Sequence, residues 1–97
     1  MSDQFYLADL ADQDILDIAV YLARFGVNVA NRAIDRLNEA FQTLSEFPGM
    51  GRGRDEVRKG LRSFPVDQFV VYYGSVPDGI RIVRILHGSR DITNELS

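Results

Sequence analysis

The chain has 97 residues, 45% of them apolar and 26% charged, which leaves room for one soluble domain with a modest core over residues 1–97. It has no cysteine, so disulfide frameworks, thiol catalysis and thiolate zinc sites are excluded and a reducing compartment is favoured. No segment approaches the roughly 20 apolar residues that cross a bilayer, and no basic-then-apolar leader opens the sequence. We therefore expect a cytoplasmic protein without a membrane contact.

Charge is distributed unevenly between the two halves of the chain. Residues 1–48 hold eight acids and three arginines, whereas residues 49–97 hold six acids and eight basic residues. The net charge of −3 argues against a whole face bound to nucleic acid. Ten of the eleven basic residues are arginine, whose planar fork suits specific contacts with carboxylates or phosphates.

The first elements are a short strand and a helix. Gln4 to Leu7 alternates and predicts a short edge strand. Apolar residues at helical spacing then predict a helix from about Asp9, with Asp9 as its N-cap, to Phe25. Gly26 is placed where a left-handed C-terminal cap belongs.

A second helix and three strands follow. The helix is predicted from an Asn28 cap to Phe47, before Pro48, and the glycine-rich segment 48–55 is predicted to be a loop. Runs of valine, isoleucine and aromatic residues predict strands at Arg58–Phe64, Phe69–Ser75 and Ile80–His87. Helices first and strands afterwards predict an α+β fold, with a helical hairpin packed on a small antiparallel sheet.

Catalytic groups are scarce. The run Gly49–Gly53 precedes no helix, which argues against a phosphate loop. His87 is the one histidine, and no metal-ligand spacing or nucleophile–base order accompanies it, so no metal, cofactor or enzyme activity is expected. Arg84 interrupts the apolar run 82–86, and its charge must reach solvent or meet a carboxylate, which we expect to come from a partner.

The ordered set of motifs resembles the RelE/ParE superfamily of toxin–antitoxin toxins, and within it the ParE branch. The similarity runs over essentially the whole chain, from the first helix to the last strand. The segments that carry it are Asp17–Leu22, Phe47–Gly51, Lys59–Phe64, Val70–Tyr73 and Ile82–Asp91.

The resemblance implies a compact toxin of a type II system, neutralised by a ParD-like antitoxin in a hetero-oligomer. RelE-like members cut messenger RNA on the ribosome, whereas ParE-like members resemble them in fold and poison DNA gyrase. The nuclease residues of the superfamily align with Arg58, Gly60, Phe69, Arg90 and Leu96, and only Arg90 matches. This departure favours gyrase poisoning, without sequence-specific nucleic-acid binding. An RNA-cutting toxin and a non-toxic antitoxin-binding relative remain the alternatives.

Two sets of binding residues follow from the same resemblance. The target is expected to meet basic residues of the second half of the chain: Arg58, Arg62, Arg84, His87 and Arg90. The antitoxin is expected to meet apolar residues of the hairpin and the middle strand: Tyr21, Leu22, Phe25, Phe69, Val71 and Tyr73.

Overall fold

A computed structural model of the chain describes residues 4–96 and confirms the α+β class. The helices are α1 (Asp9–Ala23), α2 (Val27–Glu46) and α3 (Ile92–Leu96), with one 3₁₀ turn at Pro48–Met50. The strands are β1 (Gln4–Leu7), β2 (Arg52–Gly53), β3 (Arg62–Val66), β4 (Phe69–Val76) and β5 (Gly79–His87). They form one sheet in the order β1-β5-β4-β3-β2, and α1 and α2 pack on one of its faces.

The sheet is mixed, because β1 runs parallel to β5 while β2 to β5 pair antiparallel. Strand β1 lies at the margin, as its alternation predicts. Its parallel direction was not predicted. The two helices separate β1 from the other strands in sequence, and its partner β5 lies far along the chain. The residues of β1 pair with Gly79–Ile82, about three quarters of the chain away.

The helix ends differ from the predicted caps. Ala8 rather than Asp9 is the N-cap of α1, and it makes no side-chain cap bond. Gly26 has φ +126° and ψ 143°, so it is extended in a region open to glycine and serves as the N-cap of α2 instead of a left-handed cap of α1. Asn28 lies inside α2. Helix α1 ends instead at Arg24 as its C-cap, two residues before Gly26.

Apolar residues cover both faces of the sheet. On the helical side, Phe41, Leu44, Val71, Tyr73 and Ile82 are among the residues that form the main core. On the opposite side, a second cluster contains Leu61, Tyr72, Leu86 and Ile92, with Leu96 packed against it. An irregularity in register, at which Tyr72 pairs with Arg84 and Tyr73 with Ile82, leaves Val83 unpaired and shifts β5 from one face to the other.

Segment 54–61 is a series of turns instead of the start of a strand. Strand β3 therefore begins at Arg62, and the predicted start at Arg58 was wrong. The Asp55 carboxylate accepts a hydrogen bond from the Gly60 amide at 2.9 Å, and Gly60 has φ +83°. The turns and α3 together cover the second apolar cluster; α3 was not predicted.

Candidate binding surfaces

The outer side of α1 and the hairpin that follows it expose an apolar surface. We call this surface the α1 face, and its exposed members are Leu16, Val20, Tyr21, Phe25 and Val27. The Tyr21 and Phe25 rings meet edge to face at 5.6 Å, and the Arg24 guanidinium lies 5.7 Å from the Tyr21 ring centroid. The Tyr21 and Phe25 rings are thus ordered against each other, and the exposed Leu16, Val20 and Val27 add to the apolar character of this side of the hairpin.

The predicted antitoxin residues divide between the surface and the interior. Tyr21 and Phe25 belong to the α1 face, whereas Leu22 and Phe69 are buried at the bottom of a groove of about 380 Å³ between α1, α2 and β4. Val71 and Tyr73 are fully buried in the main core. The prediction that these last two contact a partner is therefore corrected: alternation along β4 points them beneath the helices.

Arg84 is satisfied within the chain. Its Nε and Nη2 donate to the Asp14 carboxylate of α1 at 2.7 and 3.0 Å, and its Nη1 donates to Glu95 of α3 at 3.3 Å. The Asp14 carboxylate also accepts the Ile85 backbone N–H at 3.0 Å, at the point where β1 no longer covers the edge of β5. The hydrogen bond to Asp14 raises the pKa of Arg84. The carboxylate expected from a partner thus comes from α1.

His87 and Arg90 line a groove between α1 and the end of β5. The groove has a volume of about 420 Å³, and Tyr21 and Phe69 also line it. The His87 side chain is exposed, with its Nδ1 2.9 Å from the Ser89 hydroxyl. Arg90 forms an ion pair with Glu95, which lowers the pKa of that carboxyl group. Among the ion pairs of residues 4–96, Arg90 has a carboxylate partner and His87 has none.

Arg58 and Arg62 lie elsewhere, on the turns and at the start of β3. Arg58 Nη2 donates to the Leu96 carbonyl at 3.4 Å, and Arg62 Nη1 donates to the Gly51 carbonyl at 2.8 Å. Carbonyl oxygens orient a guanidinium without cancelling its charge. The five predicted target residues therefore do not form one site: Arg58 and Arg62 lie here, whereas Arg84, His87 and Arg90 line the groove beside α1, where the Arg84 guanidinium is paired with Asp14.

Tyr73 fixes the Pro48–Gly51 loop, whose Gly51 carbonyl also binds Arg62. The sequence position of Tyr73 did not reveal this role. Its hydroxyl donates to the Pro48 carbonyl and accepts the Gly51 N–H, each at 2.8 Å. Burial raises the pKa of this phenol, so it stays protonated at neutral pH. A Cβ at Gly51 would lie 2.4 Å from the same oxygen. In the sequence, only the alternating glycines of the loop indicated that its backbone packs so closely against another group.

The residues aligned with the nuclease set of the superfamily do not converge. Phe69 packs in the main core on the helical side of the sheet, whereas Leu96 packs against the second cluster on the other side. The Arg58 guanidinium is bonded to the Leu96 backbone. Phe69 is thus separated from Arg58 and Leu96 by the sheet, and the side chains of Phe69 and Leu96 offer no proton-transfer group.

Within residues 4–96, no three His, Asp or Glu side chains are grouped as ligands for a metal ion. In the same part of the chain, none of the helices has the length and apolar character needed to cross a membrane.

Comparisons with known proteins agree on one family. The family model described as ParE toxin of type II toxin-antitoxin system, parDE, matches residues 5–92. Toxin ParE3 of Caulobacter vibrioides is 38% identical over 71 residues, which are 73% of this chain and 71% of that toxin. Toxin ParE1 of Mycobacterium tuberculosis is 29% identical over 99% of this chain and all of that toxin. A solved structure described as the chromosomal ParDE TA system from P. aeruginosa has a TM-score of 0.74 at 22% identity, covering 90% of this chain and 95% of that chain, a likeness of fold.

Proposed function

The chain belongs to the ParE toxin family of type II toxin–antitoxin systems, and we propose that it stops growth by binding and poisoning DNA gyrase until a ParD-like antitoxin neutralises it. The observation that carries this proposal is the dispersed nuclease set, in which Phe69 and Leu96 lie on opposite sides of the sheet. A protein without an assembled proton-transfer site acts by docking, and is not an enzyme. We place it in the cytoplasm, where gyrase works.

Two surfaces of opposite charge support two separate partners. Helix α1 carries Asp9, Asp12 and Asp17 beside the α1 face, against Arg24 at its C-cap, while Asp14 is paired with Arg84. Segment 49–62 carries five basic and two acidic residues. Complementary charge speeds association and suppresses wrong partners. We propose that the antitoxin meets the acidic α1 face and that gyrase meets the basic segment.

The chemistry of the α1 face defines the antitoxin segment that fits it. Exposed apolar side chains four residues apart, Leu16 with Val20 and Tyr21 with Phe25, match an amphipathic helix laid along α1. The neighbouring carboxylates of α1 call for lysine or arginine beside the apolar stripe of that helix. We therefore propose a basic amphipathic segment as the neutralising element.

The gyrase assay tests the main proposal. Purified toxin is added to supercoiling and cleavage reactions that contain gyrase, ATP and plasmid DNA. We expect supercoiling to fall and broken DNA to accumulate in proportion to the toxin added. Unchanged supercoiling at a large excess of toxin would refute gyrase as the target. In that case, transcripts cut after induction would indicate the RNA-cutting alternative, and normal growth would indicate a non-toxic relative.

The antitoxin surface has its own test, with a matched control. Phe25→Asp places a charge in the α1 face, whereas Asn38→Asp places the same charge on the exposed polar side of α2. Both positions are exposed, so both variants should fold. We expect Phe25→Asp to weaken binding of the ParD-like antitoxin about tenfold or more, and Asn38→Asp to change it less than twofold. Equal affinities for the two variants would contradict the assignment of this surface.

A further inference from the structure

The turn Phe47–Met50 exposes two large apolar side chains that neither the core nor the α1 face uses. The Phe47 side chain is 61% exposed and that of Met50 is 46% exposed. The Met50 N–H donates to the Phe47 carbonyl at 3.0 Å and closes a 3₁₀ turn. Phe47 directly precedes the 3₁₀ residues Pro48–Met50 and Met50 ends them, so the two exposed side chains belong to one short segment. We call this feature the apolar turn.

The apolar turn is held rigidly from beneath. The buried Tyr73 hydroxyl bonds to backbone groups of Pro48 and Gly51, one within the apolar turn and one directly after it. Arg62 binds the Gly51 carbonyl from the side. Ordering an exposed apolar feature in advance lowers the entropy that it loses on binding, so the apolar turn is suited to a partner.

Charge beside the apolar turn distinguishes its partner from that of the α1 face. Arg52 follows the turn directly, and segment 49–62 as a whole has a net charge of +3. Arg58 and Arg62 in that segment have no carboxylate partner among the ion pairs of residues 4–96. A partner that complements this surface has a pocket that is apolar inside, for the two side chains, and acidic at its rim, for the basic segment. This pattern does not suit the basic segment proposed for the α1 face.

We propose that the apolar turn is the anchor by which the toxin grips gyrase: Phe47 and Met50 enter an apolar pocket of gyrase, and the basic segment meets acidic residues at the rim of that pocket. This inference rests on the proposed function and names the contact surface for it. Aromatic side chains dominate binding energy when they fill a pocket, and the flexible thioether of methionine adapts to the remaining space.

The test uses the variants Phe47→Ala, Met50→Ala and their combination in the full chain. Asn38→Ala is the control, because Asn38 is exposed on α2 and belongs to neither surface. Circular dichroism first checks that all variants have the fold of the unmodified toxin. The concentration for half inhibition of supercoiling and the affinity for the ParD-like antitoxin are then measured for each variant.

We expect the combined variant to need about 30-fold more protein for half inhibition, the loss that hot-spot side chains produce. Its antitoxin affinity should change less than twofold, and Asn38→Ala should leave both quantities unchanged. Inhibition by the combined variant within about threefold of the unmodified toxin would overturn the inference while leaving gyrase as the target. Equal losses of inhibition and of antitoxin affinity would also overturn it. If the unmodified toxin itself fails to inhibit, the proposed function falls first and the inference with it.

Discussion

Removal of the Asp14 carboxylate should loosen the whole domain, because this single group joins α1 to the edge of β5. It accepts two hydrogen bonds from Arg84 and one from the Ile85 amide. The Arg84 and Asp14 side chains are only 12% and 11% exposed. Loss of one partner of a buried ion pair costs about 3–5 kcal/mol. Since Glu95 still binds Arg84, we expect Asp14→Ala to lower the free energy of unfolding by about 3 kcal/mol.

Urea unfolding followed by circular dichroism measures this loss. A change of about 3 kcal/mol is a large part of the roughly 5–15 kcal/mol that stabilises a small domain, and for a chain of this size it lowers the Tm by about 12–24 °C. Asp17→Ala on the same helix is the control. The Asp17 carboxylate is exposed and accepts a hydrogen bond from Gln13, so we expect its loss to cost less than about 0.5 kcal/mol.

A loss below about 1 kcal/mol for Asp14→Ala would show that the pair with Arg84 is solvated, and the reasoning would fail. The double change Asp14→Leu with Arg84→Met tests whether the cost of Asp14→Ala comes from the buried Arg84 charge that it leaves unpaired or from the loss of the contact itself. If the cost of the single change comes from an unpaired buried charge, replacement of both partners should recover most of the stability. Gyrase inhibition by the double variant should match that of the unmodified toxin, because Arg84 is not assigned to the target surface.

Three further predictions concern the loop and the C-terminal helix. Gly51→Ala should destabilise the domain by about 2 kcal/mol, since its Cβ would collide with the buried phenol, whereas Gly49→Ala, with no atom within 4 Å of its Cβ, should leave the urea midpoint unchanged. Tyr73→Phe should cost about 1–3 kcal/mol by leaving two loop groups unpaired, and the exchange of the Gly51 amide hydrogen should then speed up in NMR. The Arg90 guanidinium lowers the pKa of Glu95 in the folded state. The ionised Glu95 carboxylate therefore stabilises α3 fully above its unfolded pKa of about 4.3. This stabilisation is lost as the pH falls through the folded pKa. NMR shifts of α3 should report this acid transition, and Glu95→Gln should abolish it.

Local pattern accounts for what could be predicted. Helical spacing indicated α1 and α2, alternation indicated β1, and runs of valine, isoleucine and aromatic residues indicated β4 and β5. Arg84 shows the limit of such reasoning: its neighbours required a carboxylate, yet nothing near it in sequence pointed to Asp14, 70 residues earlier. The sequence indicated Tyr73 only as an aromatic residue of a strand. Its hydrogen bonds to the loop depend on the length of α2, which sets where that loop lies. Tertiary partners of this kind leave no periodic signal.

The pairing of β1 with β5 has a consequence for biosynthesis. While the protein is being made, a nascent chain that has not yet reached residue 79 offers β1 no strand to pair with, and Asp14 has no guanidinium until Arg84 has been added. The β1–β5 pairing and the Asp14–Arg84 contact therefore form only after most of the chain has been made, so α1 and α2 are fixed to the sheet no earlier than its last strand.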